Sequence, residues 1–309
     1  MVQDDAVVDQ SLLERIHDEV RPLIGTGRVA DYIPALAAVN ARGFGLAVAS
    51  ADGEVFGVGD YRVPFSVQSL SKVFAFGLAL SLETGRIWDR VGHEPSNHAF
   101  NSLLQLERDR GVPRNPFVNA GALVTVDQLL SRTGDAVGAL RAFVRAEAAN
   151  PDIDVDKAVA TSERDNCHRN AALAHLIASY GNLDNDIDAV LDHYVAQCAL
   201  AMSCRDLALA GRFLVRHGVR AGGGRLLSAA DTKRLNATMF VCGMYDGVGE
   251  FAYRVGLPAK SGVGGGIVAV VPGRYVICVW SPGLDASGNS VAGVAALEAL
   301  SAATGWSAF

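Results

Sequence analysis

FSVQSLSKVFAFGLALSL, residues 65–82, runs from a short polar segment straight into an apolar helix. At the junction stands Ser69-Leu70-Ser71-Lys72, the chain's one S-x-x-K. Residues three apart on a helix share a face, so an amine at 72 can reach a hydroxyl at 69. A serine hydroxyl is a weak nucleophile until a base takes its proton, and a partly desolvated lysine can serve as that base. The same four residues read equally well as an N-cap serine followed by a surface lysine.

Working outward, the chain before this segment reads helix, then hairpin. Ser11-Leu-Leu-Glu14 has the form of a capping box, opening a helix of about 14 residues with Leu12, Leu13, Ile16 and Val20 on one face. Apolar runs at 44–50 and 54–58 follow, joined by Asp52-Gly53, a pair that tolerates positive φ. The far end mirrors this order: IVAVV at 267–271, a Pro272-Gly273 turn, YVICVW at 275–280, then a small-residue helix from about 289 to 303. Between the ends the periodicity is helical, at 71–83 stopped by Gly85, 121–132, 169–179 stopped by Gly181, 185–199, 204–216, and 229–242 opened by Ser228. The expected fold is therefore α+β, an antiparallel sheet built from both termini and flanked by the terminal helices, with a helical subdomain inserted. The boundaries are one domain over 1–309, with a sheet lobe at about 1–70 and 243–309 and a helical part at about 71–242. A cleft is expected where the two parts meet.

Composition narrows the class of function. The formal charge of -6 and the lack of any dense basic run argue against nucleic acid or an anionic membrane as partner, leaving a small molecule. No apolar stretch approaches the roughly 20 residues a membrane helix needs, and the acidic start lacks the form of an export signal, so a cytoplasmic location is expected. Cys167, Cys198, Cys204, Cys242 and Cys278 are odd in number and never spaced C-x-x-C, which favours reduced thiols over disulfides or zinc. Cys242 and Cys278 sit in apolar runs and read as packing. Only four of the 27 basic residues are lysines, at 72, 157, 233 and 260. In a chain that favours arginine, a retained lysine suggests a need for proton transfer or for a compact charge.

The second segment that points to chemistry is Pro258-Ala-Lys260-Ser261-Gly262-Val263-Gly264-Gly265-Gly266, which leads into the strand at 267–271. Glycines there let a ligand or another backbone approach closely. S-x-x-K followed far downstream by Lys-Ser-Gly is the pattern of the active-site-serine penicillin-recognising enzymes.

From about Asp31 to about Gly293 the chain resembles the serine-dependent glutaminases, whose catalytic domain shares the serine β-lactamase fold. The likeness rests on DYIP at 31–34, VPFSVQSLSK at 63–72, NPFVNAGAL at 115–123, SERDNCHRNAA at 162–172, VLDHYVAQC at 190–198, CGMYDGVGEFAYRVGLPAKSGVGGGI at 242–267, and WSPGLDASGNSVAG at 280–293. The resemblance implies hydrolysis of L-glutamine to L-glutamate and ammonia, with Ser69 as nucleophile and Lys72 as general base. It implies that Tyr32, Tyr194 and Tyr245 contact substrate or relay protons, and that Gln68, Asn119, Glu163 and Asn170 hold its amino and carboxylate groups. The backbone N–H groups of Ser69 and Val263 would form the oxyanion hole. No cofactor and no metal are implied, and the family suggests a homo-oligomer. A site for glutamine does need an acid for its ammonium and amide donors for its carboxylate. One departure stands out, Cys167-His168 where many relatives carry Gly-Asp. Alternatives on the same residues are a penicillin-recognising hydrolase or esterase and a non-catalytic glutamine-binding protein.

Other motifs are set aside on physical grounds. Pro95 breaks the helix that His93 and His98 would need to share a metal. Tyr180-Gly181-Asn182 reads as a helix C-cap, and Ser287-Gly288-Asn289 follows rather than precedes Lys-Ser-Gly. Gly264 to Gly266 precede a strand and no helix, unlike a phosphate loop.

Overall fold

The computed structural model describes residues 8–96 and 101–309. Among the described residues eight strands occur in chain order: β1 (Gly45–Ser50), β2 (Val55–Gly59), β3 (Phe65–Ser66), β4 (Asp154–Val155), β5 (Leu200–Met202), β6 (Ala259–Ser261), β7 (Gly266–Val271) and β8 (Tyr275–Trp280). The larger sheet runs β2-β1-β8-β7-β6, antiparallel throughout, so the N-terminal hairpin pairs with the C-terminal one through β1 and β8. The expected sheet from both termini is present.

Strand periodicity divides its side chains between two cores. Leu46 and Val48 of β1, Ile267 and Ala269 of β7, and Ile277 and Val279 of β8 pack under helices Gln10–Val20 and Val291–Thr304. Ala47, Ala49, Val268, Val270, Val276 and Cys278 face the helical part. Cys278 is thus a packing residue, as its apolar run implies.

Local signals account for most helix ends, with instructive exceptions. The first helix is capped by Asp9, whose carboxylate accepts from Leu12 N at 2.7 Å, two residues before the expected Ser11. Within Ser71–Arg90 the helix breaks at Glu83 (φ -162°, ψ 78°), where the expected stretch 71–83 ends just before Gly85, and a second helical piece continues to Arg90; the Glu83 carboxylate accepts from Gln128 and Arg132. The expected helix at 204–216 is two, Cys204–Ala210 and Arg212–Val215, broken at Gly211. A Cβ there would stand 2.9 Å from Val276 Cγ1, so the chain bends where it crosses β8 most closely. Helix Ala136–Ala148, opened by Asp135 with Leu140, Phe143 and Val144 on its buried face, went unread, and the strands of the small sheet β3-β5-β4 are too short for periodicity to register.

Candidate active site

The small sheet fixes the nucleophile's turn. Phe65 and Ser66 of β3 pair with Met202 and Ala201, and Val67 N donates to Leu200 O at 2.9 Å. The backbone then turns sharply, with Gln68 at φ 49°, a left-handed conformation that a non-glycine residue adopts at a cost. One 3₁₀ turn, Gln68–Leu70, delivers Ser69 to the start of helix Ser71–Arg90. Ser71 Oγ donates to Gln68 O at 2.7 Å and steadies that turn. The helix has no side-chain cap, and Lys72 is 1% exposed. The alternative of a cap serine with a surface lysine is therefore excluded.

Lys72 Nζ donates to Asn119 Oδ1 at 2.7 Å and to Phe117 O at 3.3 Å. Burial brings its pKa down to about 8, against weak opposing pulls from Cys198 and Glu163. Asn119 opens helix Asn119–Thr133, and Asn115 Oδ1 sets the entry by accepting from Phe117 N and Val118 N. Gly121 is required there, since a Cβ would meet Asn115 O at 2.0 Å. Asn119 Nδ2 in turn donates to Asn170 Oδ1 at 2.9 Å.

From the sheet side, β6 and its turn lie against the same segment. A Cβ on Gly262 would be 3.0 Å from Val67 O, and one on Gly264 only 2.5 Å from Ser66 O. These glycines serve close backbone approach, and they bring Val263 alongside Ser69.

The cavity in front of Ser69, about 330 Å³, is lined by Tyr32, Gln68, Ser69, Asn119, Glu163, Asn170, Tyr194 and Val263 of the expected set. Tyr32, 56% exposed, stands at its mouth. Glu163 is buried and accepts from Gln68 Nε2 at 3.2 Å; burial pushes its carboxyl up to about 7. Tyr194 and Cys198 are both buried beside the Glu163 carboxyl. Lys72 and Tyr245 do not line this cavity. They stand behind Ser69, with the Tyr245 phenol near its hydroxyl. Burial pushes the Tyr245 pKa well above the usual tyrosine range, against a smaller lowering pull from Ser69.

Cys167 of the departing pair also lines the cavity, its Sγ accepting from Arg164 Nη1 at 3.2 Å, and Glu163 and Asn170 still both reach the cavity. Sequence reasoning missed Ile33, Asn101, Asn166, Arg169 and Cys198 as lining residues. A signal existed for Cys198, which lies one helical turn after Tyr194 in helix Ile187–Cys198.

The set-aside motifs are structural where described. Tyr180 ends helix His168–Ser179 and bonds Glu107, while Asn182 serves Arg90. His93 packs edge-on against Trp88, and His98 lies outside the described residues. Among the described residues no cluster of three or more His, Cys, Asp or Glu could hold a metal, and no helix is long and apolar enough to cross a membrane.

Comparison with known proteins identifies the family. The family model described as Glutaminase matches residues 27–309. A glutaminase of Streptomyces coelicolor is 60% identical over 298 residues, spanning 96% of this chain and 97% of that protein. One of Shewanella loihica is 54% identical, spanning 97% and 99%. Among solved structures, a probable glutaminase superposes with a TM-score of 0.89 at 33% identity, covering 98% of this chain and 99% of the other. A probable glutaminase from Bacillus subtilis, complexed with 6-diazo-5-oxo-L-norleucine, gives 0.87 at 30% identity, covering 100% and 99%. These neighbours share the serine β-lactamase-like α+β fold.

Proposed function

The chain belongs to the glutaminase family, hydrolysing L-glutamine to L-glutamate and ammonia, and on that footing we propose how its residues divide the work. Neutral Lys72 takes the proton of Ser69, with Tyr245 relaying, as Oγ attacks the side-chain carbonyl carbon. The N–H groups of Ser69 and Val263 hold the oxyanion, a donor pair that acts where charge develops. Collapse breaks the C–N bond, the proton returns to the departing nitrogen as ammonia, and a γ-glutamyl ester of Ser69 remains. Water, deprotonated by the same base, then attacks the ester and releases glutamate and the serine hydroxyl. Glu163 holds the α-ammonium, while Gln68, Asn119 and Asn170 serve the α-carboxylate. Tyr194 flanks the substrate and Tyr32 meets it at the mouth.

One observation carries this reading: a buried lysine and a phenol stand behind a serine that faces a cavity holding a buried carboxylate. The desolvation that lowers Lys72 leaves a usable fraction neutral near pH 7, as a base requires. We further propose a single catalytic domain with a sheet lobe at about 1–70 and 243–309 and a helical part at about 71–242, working in the cytoplasm as a homo-oligomer. Ser69→Ala tests the chemistry. The variant is expected to fold and bind glutamate while ammonia release from glutamine disappears; full activity in it would defeat the mechanism.

A further inference from the structure

Lys260 is fully buried in β6 beside the nucleophile turn, and the reaction above gives it no step. Its surroundings are specific. Nζ donates to Ser261 O and, at 3.2 Å, to Gly243 O, and it sits 4.3 Å from the centre of the Tyr245 ring. Two carbonyls and an aromatic face are acceptors for the three protons of an ammonium. Burial, and after it the charge of Lys72, push Lys260 well below the usual lysine range, while those three acceptors work the other way. Lys72, Cys242 and Tyr245 are the titratable groups around it.

The segment leading to Tyr245 needs such support. Helix Ala229–Cys242 ends at Gly243, which lies so near β6 that a Cβ would stand 1.7 Å from Ala259 O. Two residues later Tyr245 itself takes φ 51°, a strained conformation for a tyrosine that persists only where the surroundings enforce it. Gly243 O receives both Ser261 N, at 3.0 Å, and Lys260 Nζ. One side chain thus grips the backbone just before the strained residue and covers the ring of that residue.

We propose that Lys260 is a positioning residue for proton transfer, holding the Tyr245 ring and backbone so that its hydroxyl stays aimed at Ser69. The inference rests on the roles given to Ser69 and Tyr245 above. Lys260 is absent from the residues lining the substrate cavity, so its loss acts on turnover and leaves binding alone.

A double-mutant cycle tests this. Lys260→Met keeps the length of the side chain and removes its donors. It is expected to lower kcat about 10- to 100-fold, a fraction of what a general acid or base supplies, while KM for glutamine moves by less than about threefold. In a Tyr245→Phe background the same change is expected to cost almost nothing further, because the hydroxyl it aims is already gone. Calorimetric binding of glutamate and circular dichroism establish that each variant is folded. If Lys260→Met does not fold, Lys260→Gln, which keeps a donor for Gly243 O, enters the same cycle. Wild-type kcat in the variant, an equal loss in both backgrounds, or a rise in KM that matches the fall in kcat/KM would overturn the inference. Failure of the underlying reading looks different: no ammonia release by the wild type, or an active Ser69→Ala.

Discussion

Replacing Glu163 by glutamine separates what this residue does for substrate from what it does to the fold. Burial holds its carboxyl near 7, against 4.5 for an ordinary glutamate. An acid whose pKa is higher folded than unfolded weakens the fold as pH rises. Nothing is lost below about pH 4.5, the loss grows between the two values, and it is complete above about 7. The gap of roughly 2.5 pH units amounts to about 3 kcal/mol. Glutamine preserves the shape and an acceptor for Gln68 Nε2 and cannot ionise. Glu163→Gln is therefore expected to be more stable than the wild type by up to about 3 kcal/mol at pH 8, a Tm gain of roughly 5 °C, and by less than about 1 kcal/mol at pH 5. Activity moves the other way. A charged hydrogen bond to the substrate ammonium contributes about 1.5–3 kcal/mol, so kcat/KM for glutamine should fall about 10- to 150-fold. Thermal unfolding at the two pH values, with ammonia release at pH 8, reads both effects. A Tm difference that is the same at pH 5 and 8, or an unchanged kcat/KM, would refute the reasoning.

Wild-type kcat/KM should climb through two ionisations, near 7 as Glu163 becomes anionic and near 8 as Lys72 becomes neutral, with Glu163→Gln losing the lower one; ammonia release followed from about pH 5.5 to 9 decides this, and a profile flat down to pH 6 contradicts it. Asp127 is fully buried, pairs with Arg90 and accepts from the N–H groups of Asp184 and Asn185. Asp127→Ala leaves the Arg90 charge buried, so denaturant unfolding should show a loss of about 3–5 kcal/mol, while kcat of the folded fraction stays at its wild-type value because neither residue lines the cavity.

What could be read from the sequence was what short-range pattern encodes. The two hairpins, the helices with clear caps, and the S-x-x-K junction are signals within a few residues of one another, and each is found in the structure. The resemblance to a family brought in Tyr32, Asn119, Glu163 and Asn170, which no local spacing ties to Ser69. Helix Ala136–Ala148 was missed although Asp135 caps it, while β3, β4 and β5 are two or three residues long, too short for periodicity to register. Yet β3 and β5 are what hold the nucleophile turn. The stop before Gly85 was legible too, since the helix breaks at Glu83. The positive φ of Gln68 and Tyr245 was invisible for a deeper reason: strain belongs to the assembled site and leaves no mark on residue type.

The pairing of β1 with β8 also governs when this enzyme can exist during its own synthesis. The first hairpin leaves the ribosome early, with one edge of β1 satisfied by β2 and the other reserved for a strand that emerges near the end. Until then that edge is open and its apolar faces lack β7, β8 and the last helix, a state prone to pair with the wrong strand. Ser69 and Lys72 are translated in the same interval, but the backbone that flanks Ser69 from the other side, residues 262–264, is not. Nascent chains should therefore carry the nucleophile for most of translation without any capacity to use it, and activity should appear only once β6 and the two strands after it have docked.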